Sequence, residues 1–214
     1  MSTFLIGGGR DDDQVRASHA PFVAACGGGP IVAFALDDPE RWEAALRLAG
    51  AADVRCLLTP PVADDLAGAA GVFVAGGLTP AYQEALAGWT LPDGLHYCGF
   101  SAGAAVAARR AIVGGWTHAG RPVLDADFGE GLGEIEVRDG LGLVDFAVDV
   151  HAAQWGTLTR LIAAVDAGLV AEGVAIDEGT VLVCDGDRPP RVDGRGHAWR
   201  VRTQDGNTIV SVLH

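Results

Sequence analysis

The sequence predicts an α/β fold with three layers, in which helices flank a mostly parallel β-sheet. Short apolar runs alternate with segments of helical pattern through the first half of the chain. Strands that alternate with helices at this spacing imply a parallel sheet that is covered on both faces. The length of 214 residues and the hydrophobic content of 49% are enough for a substantial buried core.

The first half of the chain predicts five strands and four helices. The strands are expected at residues 4–6, 30–35, 54–58, 71–75 and 95–98. The helices are expected at residues 18–25, 39–49 and 62–69 and around Tyr82 and Leu86, with Asp11 to Asp13 as a helix start. Glycine turns follow the first and fourth strands, at residues 7–9 and 76–77. Because ligands collect at the carboxyl ends of parallel strands, these turns and the one after Phe100 are expected to face one crevice.

The second half is less regular. Residues 112–118 and 123–138 are rich in glycine and acidic residues, which suits a hairpin or a lid. A further strand is expected at residues 141–150, a helix at 157–170, and a tight hairpin from 173–178 and 180–184. Residues 199–213 are expected to close the sheet around a turn at 205–208. Without repeats or linkers, we expect a single domain over residues 1–214.

Composition excludes several classes of protein. The net charge of −13 argues against nucleic acid as a partner. All fifteen basic residues are arginine, so neither a lysine Schiff base nor a P-loop lysine is available. The four cysteines have no spacing typical of a zinc or redox site and are expected to be buried and reduced. We expect no cofactor. Without a membrane-length apolar run or a signal sequence, we expect a cytoplasmic protein that does not contact membranes.

Residues 99–103, Gly-Phe-Ser-Ala-Gly, fit the G-x-S-x-G turn between a strand and a helix. Such a turn exposes its serine, here Ser101, at the carboxyl edge of the sheet and points helix N–H groups at an oxyanion formed beside it. Ser101 is therefore the candidate nucleophile. The alternative is an ordinary strand–glycine–helix junction with an incidental serine.

A serine nucleophile needs a neighbouring base to take its proton. Of the six histidines, only His151 directly follows an apolar strand, which places it at the same sheet edge as Ser101. His118, in the glycine-rich segment, is a weaker candidate for the base.

Taken together, the motifs resemble those of the S51 serine peptidases, the family of dipeptidase E and cyanophycinase. The matching segments are residues 5–9, 74–77, 99–104, 149–151 with 160–161, and 174–178. The resemblance implies a flavodoxin-like fold of the class I glutamine amidotransferase type, and a homodimer. It also implies Ser101 as nucleophile, His151 as general base, and oxyanion N–H groups at Gly77 and Ala102, with Gly76 in the same turn. The implied reaction is metal-independent hydrolysis of a peptide or isopeptide bond next to an acidic residue.

The chain departs from the family pattern at three places. Where the family usually carries the acidic residue that orients the histidine, this chain has Trp116 and its neighbours, and tryptophan cannot accept a hydrogen bond. We expect Asp149 to replace it, because Asp149 shares a strand face with His151. Asp125 and Asp127 are the alternatives.

The other two departures concern substrate binding. Leu78 stands where the dipeptidases carry Asn, and Trp155 ends a segment, residues 152–155, where cyanophycinases carry arginines. Only Arg160 matches the family's cations, and it is the candidate partner of a substrate carboxylate.

The main hypothesis is therefore a serine protease of the dipeptidase or aminopeptidase type that cleaves small peptides. The alternative is a catalytically weak or silent member of the same fold that binds a small molecule. An α/β-hydrolase esterase is a third hypothesis, although the chain is short and lacks an HGGG-type motif. Amidotransferase chemistry is disfavoured because a serine stands where that chemistry uses cysteine.

Overall fold

The computed structural model describes residues 1–214, and two β-sheets organise it. The strands are β1 (Thr3–Ile6), β2 (Ile31–Phe34), β3 (Val54–Leu57), β4 (Gly71–Val74), β5 (His96–Phe100), β6 (Arg110–Gly114), β7 (Thr117–His118), β8 (Arg121–Pro122), β9 (Glu136–Asp139), β10 (Ala147–Val150), β11 (Glu172–Ile176), β12 (Thr180–Cys184), β13 (Arg191–Gly194), β14 (Ala198–Gln204) and β15 (Asn207–Leu213). The helices are α1 (Asp12–Ala25), α2 (Pro39–Leu48), α3 (Thr79–Ala85), α4 (Ala102–Val106), α5 (Ala152–Trp155) and α6 (Leu158–Asp166).

The larger sheet has seven strands in the order β13-β12-β1-β5-β4-β2-β3. Its five strands from the first half of the chain are parallel, and β12 and β13 extend it in antiparallel pairing. Every residue of β1, β2 and β4 is buried, as expected for a sheet with both faces covered. Helices α1 and α2 pack together on the sheet, and α3 packs with α4. The predicted α/β fold, with helices around a mostly parallel sheet, is confirmed.

The smaller sheet has the order β10-β11-β14-β15. Strand β10 is parallel to β11, and β14 and β15 form the predicted C-terminal hairpin. Helix α6 packs on this sheet through Leu161 and Val165, which join Ala175 and Val201 in a core of their own. The residues that follow the carboxyl end of β10 therefore come from a different sheet than those at the carboxyl edge of the larger sheet.

The predicted tight hairpin from residues 173–178 and 180–184 is wrong. Strand β11 pairs with β10 and β14, whereas β12 pairs with β1 and β13, so the chain changes sheets at residues 177–179. The carboxylate of Asp177 holds this crossing because it accepts from the Ala153 and His197 N–H groups and from the Trp199 indole. Four of the five residues of each strand are buried, which suits the interior of two sheets better than a solvated hairpin.

Two local predictions also need correction. Residues 62–69 form turns and no helix; the Leu66 N–H still donates to the Val62 carbonyl, and Gly68 then adopts a positive φ, which a continuing helix does not allow. Helix α4 ends at Val106, since the N–H of Arg109 donates to the Val144 carbonyl. The expected strand at 141–150 is regular only over β10, because residues 141–144 form hydrogen bonds with residues 106–109 at the end of α4.

Residues 110–139 form the expected hairpin, in which β6 pairs antiparallel with β9. Between these strands, residues 115–135 form an excursion that we call the crevice loop, with a 3-10 helix at Ala126–Phe128. None of the α-helices combines the length and apolar character that a membrane crossing requires.

Beneath the larger sheet's carboxyl edge, His19 is fully buried on α1 and packs against Phe73 and Phe100. Its Nδ1 pairs with the Ser18 hydroxyl, and its Nε2 has no partner. Burial lowers the pKa of His19 from 6.5 to about 4. His19 is therefore neutral in the folded protein at neutral pH.

We predict that His19 makes the fold sensitive to acid. Its pKa is lower folded than unfolded, so the stabilising contribution of the neutral ring is complete above pH 6.5 and is lost as the pH falls towards 4. The loss amounts to about 3 kcal/mol. Urea unfolding of the protein and of His19→Phe between pH 4 and 7 measures it. Parallel pH profiles for the two proteins would contradict the prediction.

Candidate active site

Ser101 lies at a sharp turn between β5 and α4. Its backbone has φ 51° and ψ −110°, a conformation that is uncommon for a residue with a side chain. Two sets of hydrogen bonds hold it: the Ser101 N–H donates to the Ile6 carbonyl, and the Ser101 carbonyl accepts from the N–H groups of Ala104 and Ala105. The hydroxyl is thus fixed at the carboxyl edge of the sheet, as the motif predicts.

The glycines on either side of Ser101 are required by close packing. A Cβ at Gly99 would lie 2.3 Å from the Gly103 carbonyl oxygen, and a Cβ at Gly103 would lie 2.2 Å from the Val74 carbonyl oxygen. Strands β4 and β5 and helix α4 therefore meet at distances that only glycine permits. This geometry, more than flexibility, explains the G-x-S-x-G pattern.

His151 reaches Ser101 from the other sheet. It directly follows β10, has a left-handed backbone with φ 58°, and donates its N–H to the Gly7 carbonyl. Its Nε2 lies 2.9 Å from the Ser101 hydroxyl. The structure thus brings together the two residues that the sequence analysis paired, and His118 has no part in this contact.

The partner of the histidine is Glu178, in the turn where the chain crosses between the sheets. The His151 Nδ1 lies 2.7 Å from the Glu178 Oε1, so the ring donates to the carboxylate and leaves Nε2 to accept the serine proton. Burial lowers the pKa of His151 below 6.5, and the Glu178 carboxylate opposes that shift. Glu178 ends the segment 174–178 that matches the family pattern, but the sequence pattern did not indicate a role for it.

The assignment of Asp149 as the histidine's acidic partner needs correction. Both of its oxygens accept from the Arg160 guanidinium, at 2.7 and 2.9 Å, and the pair is almost fully buried. Asp149 shares a strand with His151, but its side chain serves this pair. Neither alternative bonds to His151: Asp125 caps the 3-10 helix through the Asp127 N–H, and Asp127 lines the crevice.

The same pair removes Arg160 as a substrate-binding cation. Arg160 is 4% exposed, and its Nη1 donates to the carbonyls of Gly115 and Phe128. It therefore ties α6 and β10 to the crevice loop. The cations that do line the crevice are Arg10 and Arg41, which the sequence analysis did not single out.

The turn after β4 lies beside the serine. A Cβ at Gly76 would be 3.0 Å from the Ser101 Cβ, and Gly77 and Leu78 are exposed to the crevice. Ala102 is fully buried as the first residue of α4, where a helix N–H has no partner in its own helix. An oxyanion site formed by Gly77 and Ala102 stays a prediction.

Ser101 and His151 open into a crevice with a cavity volume of about 410 Å³. Its charged wall residues are of both signs: Arg10, Asp37, Arg41, Asp127 and Glu130. Its apolar wall residues are Trp42, Leu78, Phe100, Phe128 and Trp155. The crevice therefore suits a small ligand that has both charged and apolar parts.

No three His, Cys, Asp or Glu side chains are grouped so that they could hold a metal ion. The four cysteines are free, and burial raises the pKa of the Cys98 thiol far above its usual range. A thiol that stays protonated is a poor nucleophile.

Comparison with solved structures finds chains of similar fold. A crystal structure described as a "Putative Peptidase E Protein" from Listeria monocytogenes EGD-e aligns with 91% of this chain and 98% of its own, with a TM-score of 0.55 and 15% sequence identity. The chain has a peptidase E-like fold. No protein-family model matches the sequence, and no curated protein does either. At this identity the likeness concerns the fold alone, and the chemistry has to be argued from the site.

We predict that Asp149→Asn lowers the stability of the protein, whereas Glu178→Gln mainly lowers the pKa of His151. Asp149→Asn leaves the Arg160 charge buried without its partner and is expected to cost about 3–5 kcal/mol of unfolding free energy. Glu178→Gln keeps an acceptor at a site that is 21% exposed, so stability is expected to change little. It removes a charge that raises the pKa of His151, so that pKa is expected to fall further.

Urea unfolding measures the first effect, and NMR titration of the His151 ring measures the second. A higher His151 pKa in Glu178→Gln, or an Asp149→Asn protein as stable as the unmodified one, would contradict this account of the two acids.

Proposed function

We propose that the protein is a serine hydrolase that cleaves small peptides through an acyl-enzyme on Ser101. The observation that carries the proposal is the chain of contacts from the Ser101 hydroxyl through His151 to Glu178, with distances of 2.9 and 2.7 Å. It joins a nucleophile to a base and the base to a carboxylate, which is the arrangement of a catalytic triad. The same three residues come from three different turns at one edge of the fold.

Each residue has a defined role in the reaction. As the Ser101 oxygen attacks the substrate carbonyl, the His151 Nε2 takes the hydroxyl proton, and the Glu178 carboxylate stabilises the imidazolium that forms. His151 then gives the proton to the leaving amine. Water attacks the acyl-enzyme with His151 again as base and releases Ser101. Oxyanion stabilisation is assigned to the N–H groups of Gly77 and Ala102.

The pKa of His151 suits this role. A general base must be deprotonated at the working pH, and burial lowers the pKa of His151 below 6.5. The reaction in water near pH 7 therefore starts from a neutral ring. We expect kcat/KM to rise as the pH increases through the His151 pKa, so that the acid limb of the pH profile lies below pH 6.5.

Small peptides are the proposed substrates because of the crevice and the fold. A peptide of a few residues carries an amine, a carboxylate and apolar side chains, and the crevice wall offers acids, arginines and aromatic rings. The structural neighbour is named a peptidase E, which also favours peptides. The specific activity that we propose is that of a metal-independent dipeptidase. We also propose that the protein is cytoplasmic and forms a homodimer.

An acidic substrate residue would not be bound by Arg160, the cation that the sequence suggested for this role. Arg160 is occupied by Asp149, so a substrate carboxylate would pair with Arg10 or Arg41 at the crevice wall. Hydrolysis next to acidic residues thus depends on two exposed arginines.

The test is hydrolysis of a dipeptide panel that includes Asp-X, β-aspartyl and neutral members. Ser101→Ala is expected to lower kcat/KM by about 10⁴-fold or more, because it removes the nucleophile. Glu178→Gln is expected to lower kcat/KM by about 10³- to 10⁴-fold, because it removes the carboxylate of the triad. Asp125→Asn is the matched control: it removes an acid close to the crevice and keeps an oxygen that can cap the 3-10 helix.

Equal turnover by the purified protein and Ser101→Ala would contradict the serine mechanism. If the panel and an ester panel both give no turnover, the silent ligand-binding alternative would replace this proposal.

A further inference from the structure

Trp155 makes a close contact with the general base. Its indole stacks on the His151 imidazole with 3.7 Å between the ring centroids and 7° between the planes. Trp155 is the last residue of α5, one helical turn after His151, and its N–H donates to the His151 carbonyl. The short helix therefore folds the indole back over the ring that precedes it.

The other neighbours of the two rings leave little freedom. Phe128 of the crevice loop is stacked with Trp155 at 5.1 Å and 16°, and Arg160 bonds to the Phe128 carbonyl. The Gly8 backbone touches the imidazole, since a Cβ there would lie 2.1 Å from the His151 Cε1. The plane of the His151 ring is thus fixed by packing as well as by its hydrogen bonds.

This stacking geometry affects the two protonation states of His151 unequally. Two neutral aromatic rings prefer an offset or edge-to-face arrangement, because directly facing rings repel through their quadrupoles. A cation over the face of an indole is attracted instead. Closely facing, parallel rings therefore favour the imidazolium over the neutral imidazole.

We infer that Trp155 is a positioning residue that fixes the plane of the His151 ring and stabilises its protonated form. In the reaction proposed above, on which this inference rests for its catalytic meaning, that form appears when Ser101 attacks. Trp155 supports the charge from the ring face while Glu178 supports it from the ring edge. The contact itself is a property of the fold and can be measured without a substrate.

Other charges around His151 act on the same equilibrium. Glu178 and Asp149 favour the protonated ring, whereas burial and Arg10 disfavour it. Asp149 is paired with Arg160, and the remaining charged groups of the crevice wall are Asp37, Arg41, Asp127 and Glu130. A test of Trp155 must therefore leave these groups and the burial of His151 unchanged.

Fluorinated tryptophan meets that requirement. Fluorine withdraws electrons from the indole face and weakens its attraction for a cation while the shape of the side chain is nearly kept. The pKa of His151 is followed by NMR of the labelled ring, assigned by its loss in His151→Gln. With 5-fluoro- and then difluorotryptophan, we expect that pKa to fall stepwise, by about half a unit for the difluoro protein.

Trp155→Phe supplies the control, because fluorination then changes only the other four tryptophans. The His151 pKa in this variant is expected not to respond to fluorination. An unchanged His151 pKa in fluorinated protein with Trp155, or an equal change in Trp155→Phe, would overturn the inference.

The result separates this inference from the proposed function. If peptides are hydrolysed, the acid limb of kcat/KM is expected to move down with the NMR pKa as fluorine is added, and an acid limb that stays in place would overturn the catalytic role. If no peptide is hydrolysed, the proposed function fails, whereas the NMR titration still decides the role of Trp155.

Discussion

The candidate site depends on how the second sheet contacts the glycine turn that follows β1. The Gly7 carbonyl accepts from the His151 N–H, and the Gly8 carbonyl accepts from the Gly179 N–H, so this turn holds both His151 and the crossing that carries Glu178. The approach is close enough to require glycine: a Cβ at Gly7 would lie 2.3 Å from the Asp177 carbonyl oxygen. Two sheets that share no strand are thereby joined at the point where Ser101, His151 and Glu178 meet.

The fold class could be predicted because it depends on local patterns. The buried runs of β1, β2, β4 and β5 are mostly apolar, and a glycine turn follows β1 and β4 while the serine turn follows β5. The crossing between β11 and β12 could not be predicted, because two short apolar runs around a glycine are also typical of a hairpin. Their separation depends on tertiary contacts, chiefly those of Asp177 with α5 and β14. The number and range of domains stay a prediction.

The site was partly predictable for a related reason. Ser101 and His151 each follow a buried strand, and the sheet-edge rule that selected them applies equally to Glu178, which follows β11 after one residue. Asp149 was favoured because it shares a strand face with His151. Strand alternation predicts which face of the sheet a side chain occupies but not which group it bonds to. The Asp149 carboxylate bonds to Arg160, a buried arginine eleven residues later on α6. Only the packing of α6 on the second sheet shows that Arg160 is a structural cation.

The most direct test of this account is the rate at which a fluorophosphonate probe labels Ser101, followed by intact mass and mapped to the modified residue. The protein is predicted to take up one label, on Ser101. In Glu178→Gln the labelling rate is predicted to fall by about 10³-fold, since His151 then lacks the charge that stabilises its protonated form. Absence of labelling at Ser101, or an equal rate in Glu178→Gln, would contradict the claim that Glu178 and His151 activate this serine.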